Sequence, residues 1–213
     1  MASNVAGGYE RMQHPLSDHV SGRAVDEIDR ARAREYALLA TLLARSPDPQ
    51  MIKRLALLRG DASPLGTAHA ALGAAAGRAS EESAGREYFN LFVGLGRGQL
   101  SPYASHYLTG SLYSRPLARV RESLQHLGIE PVQGSEPEDH VAILCEVMAG
   151  LIDGSLAGPA GIDRDFFQKH LAAWAKRFFV DLEEVESADF YRSVGSLGRV
   201  MMDIETEAYS LPI

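Results

Sequence analysis

The chain has 213 residues, of which 46% are hydrophobic and 23% are charged. This length and composition are typical of one globular domain with a buried core, and they exclude an intrinsically disordered chain. The formal net charge of −7 argues against a nucleic-acid-binding protein, because a basic surface supplies most of the affinity in that class. A single cysteine, Cys145, excludes an intrachain disulfide and a cysteine-based zinc or iron–sulfur site.

Membrane and export signals are absent from the sequence pattern. No uninterrupted apolar run approaches the roughly 20 residues that a transmembrane helix needs. The first residues lack a basic segment followed by an apolar segment, and no two arginines are adjacent anywhere in the chain. We therefore expect a cytoplasmic protein with no stable membrane insertion.

Helical periodicity dominates the chain after its first residues. Residues 1–24 mix glycine, serine, histidine and asparagine without a period, which predicts a flexible N-terminal tail before one domain spanning 25–213. Apolar residues then recur at helical spacing in eight segments. These segments are 36–43, 51–58, 65–75, 80–92, 117–127, 141–152, 163–178 and 190–208. No segment alternates as a strand would, so the sequence predicts an all-α single globular domain of about eight helices.

A glycine-rich stretch interrupts this pattern after residue 92. Glycines between Gly94 and Gly98, followed by Pro102, predict a loop of about 12 residues, and such loops are often functional. The glycines superficially resemble a dinucleotide-binding fingerprint, but they follow a helical segment instead of a strand and lack the final spacing. Tyr103 and Tyr107 give the loop an aromatic character. These rings either contribute to a peptide-binding surface or fix the loop to the core.

An acidic cluster precedes the apolar segment 141–152. Ser135 and Glu138 have capping-box spacing, and Pro137 suits a first helical turn, so local rules predict that a helix begins here. Capping requires neither His140 nor three acidic residues. His140 is either a satisfied structural residue or, together with the preceding aspartate, part of a site for a polar ligand.

Catalytic and metal-binding patterns are missing. The seven histidines are scattered, without an H-E-x-x-H or a paired E-x-x-H arrangement, and no G-x-S-x-G element accompanies Ser105. These missing patterns argue against a metal site and against nucleophilic catalysis, and we expect no cofactor. Cys145 and Trp174 lie on apolar stripes and are predicted to be core residues.

Three short motifs together resemble the TorD/DmsD/NarJ family of molybdoenzyme-specific maturation chaperones. They are Tyr88-Phe89-Asn90-Leu91-Phe92 followed by Gly94, then Pro102-Tyr103-x-Ser105-x-Tyr107, and then Glu136-Pro137-x-Asp139-His140. The resemblance covers roughly residues 35–207 and implies an all-α fold without catalysis. It also implies a client, the catalytic subunit of a molybdenum-containing oxidoreductase, whose twin-arginine signal peptide or apo form is bound until the cofactor is inserted. The chaperone itself would be a monomer or a dimer.

The same resemblance implies a peptide-binding site. It assigns signal-peptide binding to Asp139 and His140, and a groove to the aromatic loop. The groove residues that it implies are Tyr88, Phe92, Pro102, Tyr103, Ser105 and Tyr107. Because the guanidinium group of arginine pairs bidentately with a carboxylate, we expect Glu136 and Asp139 to face the arginines of the peptide.

Two other classes of function stay open at this point. One is a nucleotide-binding or hydrolytic enzyme that uses His140 as a general base, which would need a nucleophile or metal partner. The other is a plain helical interaction module in which the acidic motif only caps a helix. In that case a substitution of Asp139 would change stability and leave binding unchanged.

Overall fold

The computed structural model describes residues 26–95, 98–130 and 136–211. The predicted tail over residues 1–24 and the predicted capping residue Ser135 lie outside these ranges. Ten α-helices and one π-helical turn occur within them. In chain order they are α1 (Glu27–Ala44), α2 (Pro49–Leu55), α3 (Pro64–Arg78), α4 (Glu81–Tyr88), the π turn (Phe89–Val93), α5 (Ala104–Thr109), α6 (Arg115–His126), α7 (Val141–Asp153), α8 (Ile162–His170), α9 (Ala175–Glu184) and α10 (Phe190–Ser210). The only β-type pairing in the described part of the chain is an isolated antiparallel bridge between Tyr103 and His140.

The core is organised around α7. Eleven of its thirteen residues are buried, as expected for a helix that is apolar on all sides and covered by its neighbours. α7 packs mainly along α1, while α9 packs along α10, and α10 also packs against α3. Cys145 and Trp174 are buried in this core, which confirms their prediction as core residues. The predicted all-α fold is confirmed as well.

Two features raise the number of helices above the predicted eight. First, the predicted loop contains the short helix α5. Second, the segment predicted as one helix over 163–178 is broken between His170 and Ala175, where the Trp174 indole N–H donates to the His170 carbonyl oxygen at 2.6 Å. Apolar periodicity did not reveal this break because Leu171 and Trp174 within it are buried like the helical residues beside them.

The chain reverses direction directly after the π turn. The π turn leaves the carbonyl oxygens of Asn90 and Leu91 to accept hydrogen bonds from the N–H groups of Gln99 and Leu100, at 3.1 and 2.8 Å. Gly98 lies so close to this turn that an added Cβ would overlap the Leu91 carbonyl group. Residues 98–100 are therefore held along the π turn by their backbone, which fixes one wall of the groove described below.

A carboxylate on α4 holds the beginning of α10. Glu87 accepts hydrogen bonds from the N–H groups of Asp189, Phe190 and Tyr191 at 3.1–3.3 Å, which satisfies groups that a helix leaves unpaired at its first turn. Asp189 itself provides no side-chain cap. α4 and the π turn that follows it are therefore anchored to the C-terminal helix.

Within the described ranges, no helix combines the length and the apolar character that crossing a membrane requires.

The close packing of α9 on α10 can be tested with a matched pair of glycine substitutions. Gly198 on α10 lies beneath the fully buried ring of Phe179, and a Cβ there would overlap the ring. We expect Gly198→Ala to lower the free energy of unfolding by about 1–3 kcal/mol. Gly77 on α3 has open space around it, so Gly77→Ala should raise that free energy by up to about 1 kcal/mol. Urea denaturation measures both, and equal effects would contradict the packing.

Candidate peptide-binding site

An open groove lies between the π turn and the segment leading into and out of α5. Its volume is about 500 Å³, which is in the range of small-ligand sites. Its walls are Phe92, Val93, Gly98, Gln99, Leu100, Ser101, Pro102, Tyr103, His106, Gly110, Ser111 and Leu112. A second cavity of about 430 Å³, which we call the side pocket, adjoins the groove and extends to Arg177 and Asp181 on α9. The two cavities are neighbours, because residues 99–101, His106 and Gly110 line both.

Exposed apolar side chains are concentrated around this groove. Ten large apolar side chains are exposed among the described residues, and six of them fall between Phe89 and Tyr113. Val93 and Leu112, which line the groove, are 51% and 39% exposed, and Leu95 is 97% exposed. Exposed apolar side chains that line a groove are typical of surfaces that bind a partner. This clustering is the main physical signal of function in the molecule.

The predicted acidic motif lies directly alongside the groove wall. The N–H of Val141 donates to the Pro102 carbonyl oxygen at 2.8 Å, and the N–H of Ala104 donates to the Asp139 carbonyl oxygen at 3.0 Å. These bonds flank the antiparallel bridge between Tyr103 and His140. Two motifs that are separate in the sequence are thus joined through their backbones.

Asp139 caps a helix that it does not belong to. Its side chain is buried, and Oδ2 accepts a hydrogen bond from the Ser105 N–H in the first turn of α5 at 2.7 Å. The residue at the N-cap position, Tyr103, supplies no side-chain cap. Ser105 is also fully buried, and its Oγ accepts from the Ser114 N–H at 3.3 Å. Asp139 and Ser105 therefore position α5 and do not line the groove.

His140 is the N-cap of α7. Its Nδ1 accepts a hydrogen bond from the Ala142 N–H at 3.1 Å, so the neutral ring carries its proton on Nε2. The ring packs edge-on against Tyr103, with 5.0 Å between ring centroids. Burial lowers the pKa of His140 to about 4, although the nearby Glu136 acts in the opposite direction. His140 is therefore a neutral structural residue at neutral pH, which is one of the two roles that the sequence left open.

The helix after the acidic motif begins later than predicted. α7 starts at Val141, and Pro137 lies before it in a turn closed by a hydrogen bond from the His140 N–H to the Pro137 carbonyl oxygen at 2.9 Å. Glu138 is buried and pairs with Arg121 on α6, with 2.8 Å between Nε and Oε2. The prediction that Glu138 and Pro137 belong to the first turn of the helix is therefore wrong. Capping rules consider only neighbouring residues, so they could not show that Glu138 pairs with Arg121 on α6.

Glu136 places a negative charge at the rim of the groove. It is exposed, and its Oε2 accepts a hydrogen bond of 2.5 Å from the hydroxyl group of Tyr103, a groove-wall residue. Burial, followed by this hydrogen bond, raises the pKa of Tyr103 well above its ordinary value. One hydroxyl uses one of about four acceptor positions of a carboxylate, so Glu136 retains capacity for a cationic ligand.

The remaining predicted aromatic residues support the groove from different sides. Phe92 lines it and contacts the ring of Tyr88, with 5.2 Å between centroids. Tyr88 lies behind Phe92 and donates its hydroxyl to the Ala44 carbonyl oxygen at 2.9 Å. Tyr107 lines the side pocket and donates its hydroxyl to Asp181 at 2.8 Å. Its ring also packs on Trp174, so Tyr107 both faces a cavity and fixes α5 to the core.

Nine residues were predicted for the site, and the structure gathers all of them around the groove in three roles. Those lining the groove or side pocket are Phe92, Pro102, Tyr103 and Tyr107. Those in direct contact with a lining residue are Glu136, Tyr88 and His140. Those holding α5 are Asp139 and Ser105.

The sequence did not single out several lining residues. They are Val93, Leu112, Arg177 and Asp181. Val93 and Leu112 continue ordinary apolar patterns, and Arg177 and Asp181 come from a distant helix. The exposure of Val93 and Leu112 depends on the fold. So does the closeness of Arg177 and Asp181 to the groove.

The fold and site together define an all-helical protein with an open, partly apolar surface groove. No cluster of histidine, cysteine and carboxylate side chains suited to a metal ion occurs among the residues described. The profile of the nitrate reductase delta subunit family matches residues 58–180, more than half of the chain. The chain belongs to this family.

Named relatives agree with this membership. The chaperone protein TorD of Shewanella loihica is 27% identical over 203 residues, covering 84% of this chain and 93% of that protein. The probable Tat proofreading chaperone DmsD of Haemophilus influenzae is 29% identical over 114 residues, covering 52% of this chain and 54% of that protein. A putative redox enzyme maturation protein from Archaeoglobus fulgidus shares the fold, with a TM-score of 0.54 and 19% identity, over 91% of this chain and 99% of that one.

These similarities confirm the resemblance that the motifs indicated. The family and the relatives indicate a system-specific chaperone for the maturation of molybdoenzymes. The relatives are named as chaperones and not as enzymes.

The capping role of Asp139 predicts a local effect on α5. Asp139→Ala leaves the buried Ser105 N–H without an acceptor, so we expect the free energy of unfolding to fall by about 1–3 kcal/mol. Amide hydrogen exchange in α5 should accelerate. Asp48→Ala, which removes the exposed cap of α2, is the control and should leave exchange in α5 unchanged. Unchanged α5 exchange in Asp139→Ala would remove the assignment.

The buried histidines predict a loss of stability in mild acid. Burial lowers the pKa of both His140 and His170 from 6.5 to about 4, so between these values the unfolded chain binds more protons than the folded chain. The free energy of unfolding should therefore decrease as pH falls from 6.5 towards 4, with each histidine contributing at most about 1.4 kcal/mol per pH unit.

The variant His140→Asn measures how much one histidine contributes to the pH dependence of the free energy of unfolding. Asparagine keeps a capping acceptor for α7 but takes up no proton, so the pH slope should shrink by the contribution of one group. Gln125→Asn, an exposed position on α6 that takes up no proton before or after the change, is the control and should keep the slope of the unmodified protein. Urea denaturation between pH 7 and pH 4 gives the slopes, and identical slopes in all three proteins would contradict the buried neutral state of His140.

Proposed function

We propose that this protein is a cytoplasmic chaperone that binds the twin-arginine signal peptide, or the apo form, of a molybdenum-containing oxidoreductase. In this role it assists cofactor insertion and delays export until the enzyme is mature. The observation that carries the proposal is the concentration of exposed apolar side chains around a groove with Glu136 at its rim. Membership of the nitrate reductase delta subunit family and the names of the relatives support it.

The chemistry of the groove suits this kind of peptide. A twin-arginine signal peptide has a cationic pair followed by an apolar stretch, and the groove has an exposed carboxylate beside apolar walls. An exposed arginine–carboxylate pair contributes only about 0.2–1 kcal/mol. Complete burial of one leucine or valine side chain contributes about 1.5–3 kcal/mol. Since Val93 and Leu112 are each about half exposed, covering both outweighs one ion pair, and the apolar part supplies more of the affinity.

The nine predicted residues take two kinds of role in this proposal. Glu136 faces the arginines, and the peptide contacts the lining side chains Phe92, Pro102, Tyr103 and Tyr107. Asp139, His140, Ser105 and Tyr88 act as positioning residues. A direct contact between Asp139 and an arginine would require the carboxylate to leave the Ser105 N–H, which would remove the cap of α5. For this reason we place Glu136, and not Asp139, at the arginine position.

The two alternative functions differ in how well the geometry supports them. A hydrolase with His140 as general base is disfavoured, because the Nδ1 atom is occupied by the Ala142 N–H and burial lowers the pKa of the ring to about 4. A plain interaction module agrees with the capping role of Asp139. It does not account for the exposed apolar walls and the rim carboxylate, and the titration below distinguishes it from the signal-peptide chaperone.

Peptide titration tests the assignment of Glu136 and Leu112. We expect a twin-arginine peptide to bind about two- to fivefold more weakly to Glu136→Gln, the equivalent of losing one exposed ion pair. Leu112→Asn removes apolar contact area from the groove and, because this leucine is 39% exposed, should weaken binding about three- to sevenfold. Fluorescence anisotropy with a labelled peptide measures both affinities.

Controls with the same chemical changes lie away from the groove. Glu82→Gln alters an exposed glutamate on α4, and Leu57→Asn alters a leucine that is 72% exposed after α2. Both should bind like the unmodified protein. If the unmodified protein binds no twin-arginine peptide, or if the groove variants bind as well as these controls, the proposed function is wrong.

A further inference from the structure

The groove has the Glu136 carboxylate bonded to its Tyr103 wall, and the adjoining side pocket has the Arg177 guanidinium in its lining, beside Asp181. Building on the proposed peptide binding, we propose that this asymmetry fixes the direction of the bound peptide. The cationic pair lies at Glu136, and the part of the peptide beyond the apolar run lies at Arg177. Arg177 then acts as a specificity-determining residue that favours an acidic side chain at the distal end of the bound segment.

The residues that line only one of the two cavities define the two ends of the proposed site. Tyr103 lines the groove but not the side pocket, and Glu136 is hydrogen-bonded to it. Arg177 and Asp181 line the side pocket but not the groove. The shared wall formed by residues 99–101, with His106 and Gly110, lies between these two groups. A peptide that extends across both cavities therefore meets the Glu136 carboxylate at one end and the Arg177 guanidinium at the other.

Arg177 is available to a ligand. It is exposed, its guanidinium lies over the Tyr107 ring at 5.9 Å, and it makes no ion pair with any carboxylate among the described residues. The nearest acidic residue along α9 in the pocket, Asp181, already accepts the Tyr107 hydroxyl at 2.8 Å. The neighbouring Lys176 differs, because it pairs with Asp203 at 2.6 Å. The side pocket thus presents the Arg177 guanidinium beside the Asp181 carboxylate, and Arg177 is the cation in its lining that forms no ion pair among the described residues.

Helix electrostatics favour the same direction. An apolar segment bound as a helix has a partial positive charge at its N-terminal end and a partial negative charge at its C-terminal end. Glu136 lies at the positive end of such a helix and Arg177 at its negative end. Each of these interactions should raise the affinity about two- to fivefold. In the reverse direction the arginine pair would lie next to Arg177, and like charges would repel. One direction is therefore preferred even without an acidic side chain.

A charge-exchange titration tests this inference. The probes are peptides blocked at both termini, with an arginine pair and an apolar run, and with glutamate, glutamine or lysine placed one, two or three helical turns after the pair. These spacings are chosen because cavities of about 500 and 430 Å³ accommodate only a few side chains. They are titrated against the unmodified protein, Arg177→Gln, Arg177→Glu and the control Arg34→Glu, which changes an exposed arginine on α1.

We expect the unmodified protein to bind the glutamate peptide about two- to fivefold more tightly than the lysine peptide at one of the spacings. Arg177→Gln should abolish this preference, Arg177→Glu should reverse it, and Arg34→Glu should retain it. Equal affinity for the glutamate, glutamine and lysine peptides at every spacing would overturn the inference while leaving the proposed function intact. Failure of every peptide to bind would instead reject the proposed function.

The direction can also be observed without changing any charge. A nitroxide label at the distal end of the peptide should broaden the amide resonances of α9 around residues 177–181. A label beside the arginine pair should broaden those around Tyr103 and Glu136. The opposite pattern, or equal broadening at both places from either label, would overturn the inference.

Discussion

The buried carboxylate of Asp139 is the contact on which the groove depends. A helix as short as α5 has too few internal hydrogen bonds to be stable alone. Its first turn is capped by a residue 34 positions later in the chain, and the flanking backbone bonds join Pro102 and Ala104 to the start of α7. Because α7 is the most buried helix of the core, these bonds transfer the rigidity of the core to the wall of an exposed site.

The opposite wall is stabilised in the same way, through its backbone. Carbonyl oxygens of the π turn accept hydrogen bonds from the N–H groups of Gln99 and Leu100, and Glu87 attaches the preceding helix to α10. The side chains of Phe89, Val93 and Leu95 in and beside this turn are exposed. π turns within α-helices are frequently found at functional sites, and here the turn leaves an apolar rim available to a partner.

Local sequence rules predicted what depends on neighbouring residues and missed what depends on distant ones. The helix predicted from the apolar residues between Val141 and Ile152 is confirmed, because a helix in the core repeats its apolar contacts every turn. α5 was predicted as loop because its cap comes from Asp139, and Glu138 was placed inside a helix because its ion pair with Arg121 is not visible in sequence. The predicted site residues came from family motifs, whereas the positions of their side chains relative to the groove could not be read from the sequence.

The non-local caps also determine the order in which the molecule acquires its structure. Contacts between residues far apart in sequence form slowly, because the intervening chain loses entropy when its ends meet. Residues 104–109 leave the ribosome before Asp139, and Glu87 leaves it about a hundred residues before the helix that it caps. The groove is thus completed late in biosynthesis, after α7 has formed. Until Asp139 has been synthesised, the segment that carries Leu108 and Leu112 lacks the contact that caps α5.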